Sequence, residues 1–128
     1  MSFSDDIKRW KQKTIITADK IFRGTCFEIF SKIIKRTPVK TGRLRGNWQA
    51  ELNRIPTGDV DTKGNAALSG AAQTTGKAKI TDSVYLVNNL PYAGVIENGR
   101  SNQAPAGMVK VTIAEFKSIV DKNARKNK

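Results

Sequence analysis

From Phe3 to Arg36 the chain contains no proline, and apolar or small residues recur at steps of three and four: Ile7, Trp10, Thr14, Ala18, Ile21, Thr25, Ile29 and Ile33. That spacing follows one face of an α-helix and predicts a single amphipathic helix over residues 3–36. Ser4 with Asp5 and Asp6 reads as its N-terminal signal. Phe22, Cys26 and Phe30 widen the stripe, so the second half is expected to pack more deeply. Pro38 ends the run, because a proline pushes the residue before it, Thr37, out of the α region. At 1.5 Å per residue, about 34 residues make a rod of roughly 50 Å. The whole chain has 128 residues, so a rod of that length is expected to project or to be shared with a neighbouring subunit, which favours assembly. A kink near Gly24 is the alternative.

The remainder alternates short elements with turns. Residues 37–46 form a turn-rich basic linker, and Asn47 to Ile55 reads as a half-buried strand in which Trp48, Ala50 and Leu52 alternate with polar residues. Residues 56–79 hold Gly, Ala, Thr, Ser and Lys with almost no large apolar side chain, and predict a flexible loop. Its glycines at 58, 64, 70 and 76 fall six apart, but no apolar position repeats with them, so a solenoid is not indicated. A second strand is expected from Ile80 to Val87, which makes the pair a hairpin with an extended tip. Pro91 suits the first position of a short helix through Tyr92 to Glu97, stopped by Gly99. Ser101 to Ala104 is loop. Pro105 opens a last helix with Val109, Thr112 or Ile113, Phe116, and Ile119 or Val120 on its apolar stripe. A fraying basic tail follows, within Asp121 to Lys128, with residues 123–128 free. The order predicts an α+β fold over 1–128 as one domain: a long N-terminal helix, a small antiparallel sheet with a long hairpin loop, a short helix and a C-terminal helix.

Composition narrows the chemistry. There is no His and one Cys, which removes imidazole metal sites, Ser-His and Cys-His nucleophile pairs, internal disulfides and thiolate zinc clusters. No apolar run approaches the roughly 18 to 20 residues of a membrane helix. The acidic start, Ser4-Asp5-Asp6, lacks the basic flank of an export signal, and a reducing compartment suits Cys26. The formal charge is +12. Residues 1–46 hold twelve bases and four acids, residues 47–109 five of each, and residues 110–128 six and two. The excess therefore lies in the helices. It suits a polyanionic neighbour such as nucleic acid or an acidic protein ring, or else a solvated helix face.

No group of residues assembles a reaction centre. Cys26 has no base and is expected to pack. Glu97, near Tyr92 and Arg100, is the one suggestive carboxylate, but before a glycine turn it is expected to bind backbone amides or an arginine, with Arg43 and Arg45 as candidates. Gly42 and Gly46 flank bases as a phosphate loop would, yet no Gly-Lys-Ser or Gly-Lys-Thr follows and no strand precedes. Trp48 and Tyr92 are expected in the core rather than as exposed anchors.

Three segments together carry a family resemblance: Thr37-Pro-Val-Lys-Thr-Gly-Arg-Leu-Arg-Gly-Asn-Trp48, Asn88-Asn-Leu-Pro-Tyr-Ala-Gly-Val-Ile-Glu-Asn-Gly99, and Ser101-Asn-Gln-Ala-Pro-Ala-Gly-Met108. In order and spacing the chain resembles the tail-completion or neck family of long-tailed bacteriophages over residues 5–122. It departs from that pattern at Lys40, where an acid is usual, and at Asn98, where an aromatic is common. The resemblance implies a structural, non-enzymatic virion protein without cofactors or metals. It implies a ring, typically hexameric, at the head-proximal end of the tail tube, assembled in the host cytoplasm, which joins the tube protein to the head connector or stopper and lets DNA pass. It further implies that Pro38, Gly42 and Gly46 shape the first turn with Arg43 and Leu44, that Trp48 anchors it, and that Arg45 and Glu97 form an ion pair. Pro91, Tyr92 and Gly99 would frame the short helix, and Pro105, Gly107 and Met108 the last one. The 56–79 loop is expected to order on assembly, so that deleting its tip leaves a folded but assembly-deficient subunit. Two rival classes are a free basic nucleic-acid-binding protein and, more remotely, a small hydrolase or toxin using carboxylates alone.

Overall fold

The helix anticipated at the N-terminus is present as one unbroken element, α1 (Phe3–Arg36). The computed structural model describes residues 2–39, 42–98 and 107–127. After α1 come α2 (Arg43–Gly46), β1 (Trp48–Leu52), α3 (Ala67–Gly76), β2 (Val84–Asn88), α4 (Ala93–Glu97), α5 (Val109–Ile113) and α6 (Phe116–Lys126), with a 3-10 turn at Gly64–Ala66 leading into α3. The architecture is α+β and mostly helical, as the element order in the sequence predicts. Lys40, Gly99, Pro105 and the Ser101 to Ala104 loop lie outside the described residues.

The helix starts at Phe3 as expected, but its cap lies two residues before Ser4. Ser2 is the cap: its backbone is extended, its hydroxyl accepts from the Asp5 N–H at 3.2 Å, and the Asp5 carboxylate reaches back to the Ser2 N–H at 3.5 Å. Both orphan donors are thereby partnered, as in a capping box. At the far end Thr37 adopts the extended conformation that Pro38 demands. The helix runs through Gly24 without a break. A Cβ there would lie 2.3 Å from Asn123 Oδ1, so this glycine lets α6 approach α1 closely.

The two halves of α1 have different surroundings. Residues 2–16 are exposed throughout, whereas Thr25, Phe30, Ser31, Ile33 and Ile34 are buried. The buried half forms one wall of a core completed by Trp48, Ala67, Ala71 and Met108, with Ile29, Ala50, Leu68, Val84, Leu86, Ile96 and Val109 packed against it. Helix α6 runs antiparallel to α1. Lys32 Nζ meets Glu115 at 2.9 Å, Glu28 meets Lys122 at 2.6 Å and, nearest the α1 N-terminus, Gly24 meets Asn123. Arg36 also pairs with Glu115 and donates to Thr112 Oγ1 at 2.9 Å.

The strands pair antiparallel with Trp48 opposite Asn88 and Leu52 opposite Val84. Both are shorter than expected. Asn53 turns out of the sheet with a positive φ of 59°, donating to the Ser83 carbonyl at 2.7 Å, and Ile80 to Ser83 forms a turn rather than strand. The largest correction concerns residues 56–79, which are not a flexible loop. They hold the 3-10 turn and ten-residue α3, whose small residues Ala67, Ala71 and Thr75 are buried at a spacing of four. Small side chains let a helix lie close against α1 and β1, and Thr74 Oγ1 donates to the Ala50 carbonyl at 3.0 Å. The strands are therefore joined through a packed helix.

Further corrections fall at the C-terminal end. Pro91 sits in the turn ahead of α4, which begins at Ala93, and Tyr92 precedes the helix half exposed rather than in the core. The final helix breaks at Ala114–Glu115 into α5 and α6. The supposed tail is helical through Lys126, because Asn123 is buried against α1 and Lys122 is held by Glu28.

Candidate functional site

The residues 37–48 build a clamp on the end of α1. The last carbonyls of a helix lack intrahelical donors and carry partial negative charge. Arg45 supplies both donors and charge: its Nε donates to the Thr37 carbonyl at 2.9 Å, one terminal nitrogen to the Lys35 carbonyl at 2.7 Å, and the other to Asn65 Oδ1 at 2.9 Å. Trp48 is buried, and its indole N–H donates to Thr37 Oγ1 at 2.7 Å while that hydroxyl donates to the Ile33 carbonyl at 2.8 Å. Trp48 thus ties the start of β1 to the end of α1.

Two glycines make the turn possible. Gly42 has φ +78°, the left-handed region that L side chains rarely adopt, and its carbonyl accepts from Gly46 at 2.9 Å and Gly64 at 2.7 Å. A Cβ on Gly46 would lie 1.9 Å from the Thr62 carbonyl oxygen, so only glycine fits against this strand of backbone. Leu44 is buried beneath, and its carbonyl accepts from Asn88 Nδ2 at 2.8 Å. Arg43 points outward and pairs with Asp59 at 2.8 Å. Sequence reasoning missed Asn47. Fully buried, it donates to the Arg43 and Val60 carbonyls at 2.8 and 3.1 Å and accepts from the Val60 N–H at 2.8 Å, tying the 53–63 segment to the turn. Its position immediately before Trp48, just after a Gly, was the available signal, since a short amide suits such backbone bridging.

The second cluster lies at the start of α5. Glu97 Oε1 accepts from the N–H groups of Met108 at 2.9 Å and Val109 at 2.8 Å, and Oε2 from Lys110 at 2.9 Å. It caps α5 from a distance in sequence, as the backbone-amide reading of this carboxylate expects. Partial burial pushes its pKa up, but the three N–H donors and the Lys110 charge outweigh this and hold it below the usual carboxylate range. Gly107, at φ +86°, brings the chain so close that a Cβ would lie 2.6 Å from the Glu97 carbonyl oxygen, and Met108 is buried in the core. Arg45 and Glu97 do not meet: each is engaged with backbone in its own cluster, which corrects the expected ion pair.

In both clusters the polar side chains are engaged with backbone and with one another. Burial pushes the Cys26 thiol up to about 11, which keeps it protonated. Among the described residues no three His, Cys, Asp or Glu could hold a metal ion, and no helix is long and apolar enough to cross a membrane. Grooves lie beside Arg43 and Lys63 (about 280 Å³), between β1 and α3 (about 240 Å³), beside Arg54 and Lys77 (about 290 Å³) and between α1 and α3 at Phe27 and Ala72 (about 310 Å³). They stand at the small end of the ~300–1,000 Å³ range of ligand pockets.

The charged and polar groups of both clusters are engaged in fastening helix ends. The family described as "Bacteriophage HK97-gp10, putative tail-component" matches residues 2–99, and the chain belongs to this family of phage tail components. The match takes in α1, the clamp and α4, while the segment from Ser101 to Met108 lies beyond it. No curated protein and no solved structure matches the chain.

Proposed function

We propose that this tail component is the repeating subunit of a ring, hexameric by the resemblance, at the head-proximal end of the tail tube. There it joins tube protein to the head connector or stopper, and the genome passes through its lumen. Family membership supports the virion location. The observation that carries the ring reading is the unfinished α1: its first fourteen or so residues leave the body with Phe3 and Trp10 79% and 68% exposed, and a subunit with such a surface is completed by a neighbour. The test is electron microscopy of particles bearing a tagged chain, beside particles from phage lacking it. Label at the head–tail junction, and filled heads separated from tails in the deletion, are the expected results. Label along the tube or at its distal tip, or joined infectious particles without the chain, would overturn the proposal.

A second reading, a free nucleic-acid-binding protein, draws on the +12 charge. Three of the cations, Lys32, Arg36 and Lys122, are engaged between helices. Tight duplex binding by the isolated chain, weakening steeply with salt, would favour it.

A further inference from the structure

We infer that the exposed N-terminal half of α1 docks along the outer side of the α5–α6 pair of a second copy of this chain, through Ile113 and Phe116. The inference rests on the subunit reading above and names the contact that reading leaves open. An isolated helix of about 14 residues is marginal in water, and the Ser2 cap alone contributes only about 1 kcal/mol. Residues 3–16 nevertheless carry Phe3, Ile7 and Trp10 at steps of four and three, exposed on one face, while the exposed Ile15 and Ile16 fall on other sides of the helix. Phe and Trp each remove about 150–250 Å² from water when buried, so with Ile7 this face offers on the order of 400 Å² of apolar surface. Covered by an equal area, that gives roughly 800 Å² in total, the size of a weak contact that repetition around a ring reinforces.

The occupant is written in the rest of the chain. Among the described residues outside the arm, the exposed large hydrophobics Phe27, Val39, Ile55, Ile80 and Tyr92 are far apart in sequence, whereas Ile113 and Phe116 flank the α5–α6 junction three residues apart and are 52% and 50% exposed. Val120, half-buried one turn further along α6, continues them. The two surfaces differ, so the contact is head-to-tail and propagates from copy to copy, closing into a ring where the rotation permits. Charge separates this partner from nucleic acid. The arm holds Lys8, Arg9, Lys11 and Lys13 against Asp5 and Asp6, and residues 110–127 hold Lys110, Lys117, Lys122, Arg125 and Lys126 against Glu115 and Asp121. Two net-positive surfaces joined by apolar contact associate more tightly as salt rises, while a polyanion would be released.

The experiment is oxidative cross-linking of the full chain carrying Trp10→Cys and Phe116→Cys in a Cys26→Ser background, at high protein concentration and in assembled particles. A ladder of covalent oligomers that ends at the ring number is expected, with either cysteine alone giving none. A covalent dimer from Trp10→Cys alone, with no ladder from the pair, would mean arms pairing with arms and overturns the inference. In case the cysteine chain misfolds, Trp10→Asp and Phe116→Asp serve as second variants. Each should weaken self-association roughly ten-fold or more, and their mixture should recover dimers but nothing larger, since each retains one intact surface. Wild-type association by Phe116→Asp overturns the inference. Ladders from a chain absent from the head–tail junction would remove the proposed location and leave the contact standing; the chain at the junction without ladders would do the reverse.

Discussion

At the scale of single residues, the chain holds its helix ends by bonds that side-chain substitution can remove one at a time. Trp48→Phe keeps the ring in the core and deletes the indole N–H bonded to Thr37 Oγ1; a loss of about 1 kcal/mol in denaturant unfolding is expected. Glu97→Gln leaves an acceptor for only part of the three-amide cap and should cost roughly 1.5–3 kcal/mol, the range for bonds to a charged group. The carboxylate also sets a pH dependence. Its folded pKa is depressed, so the stability it contributes is present above the unfolded value and is lost as pH falls through the folded one. Glu28, where burial raises the pKa but Lys122 and Lys32 lower it further, adds to the same acid-side loss. Melting temperature should fall on acidification below the ordinary carboxylate range, and Glu97→Gln should fall less. The residues alone placed Trp48 in the core and gave Glu97 backbone amides as one partner, because a glycine turn follows it, while the resemblance added the anchoring role of Trp48. It paired Arg45 with Glu97 wrongly, since opposite charge says nothing about which carbonyls a folded turn leaves without donors.

At the scale of elements, legibility followed side-chain size. Helix α1 announced itself through large apolar residues at helical steps, and the strands through Trp48, Leu52, Val84 and Leu86. Helix α3 did not, because its buried stripe is Ala67, Ala71 and Thr75, and its Gly and Thr content reads as loop. The consequence reverses an expectation. Removing residues 64–76 should abolish cooperative unfolding rather than leave a folded subunit, since Ala67 and Ala71 belong to the core. Gly70 lies inside α3 with nothing within 4 Å of an added Cβ, so Gly70→Ala should stabilise by about 0.5–1 kcal/mol. Gly46→Ala, driven against the Thr62 carbonyl, should instead destabilise severely. Circular dichroism melts of the three variants check all of this.

At the scale of the whole molecule, the predicted class held, with α2 and α3 added to the expected elements and the last helix divided, while the boundary between body and arm was hidden. Periodicity marks one apolar face along the whole of residues 3–36, and nothing in it tells which half a neighbour must cover. The fold shows where the body stops: the last α6 side chain seen against α1 is Asn123 at Gly24, and residues 2–16 stand clear. Truncation of residues 2–14 should therefore leave the melting temperature of the body within a few degrees of the full chain while removing self-association, which sedimentation reads directly.

The unbroken course of α1 also has a mechanical consequence. Rods bend at prolines, at glycine pairs or where a side chain enters the hydrogen-bond ladder; here the one internal glycine is wedged by Asn123. Arm and core consequently turn together as a lever of roughly 50 Å, and whatever grips the tip at Phe3 also sets the heading of the clamp at Thr37 and Arg45.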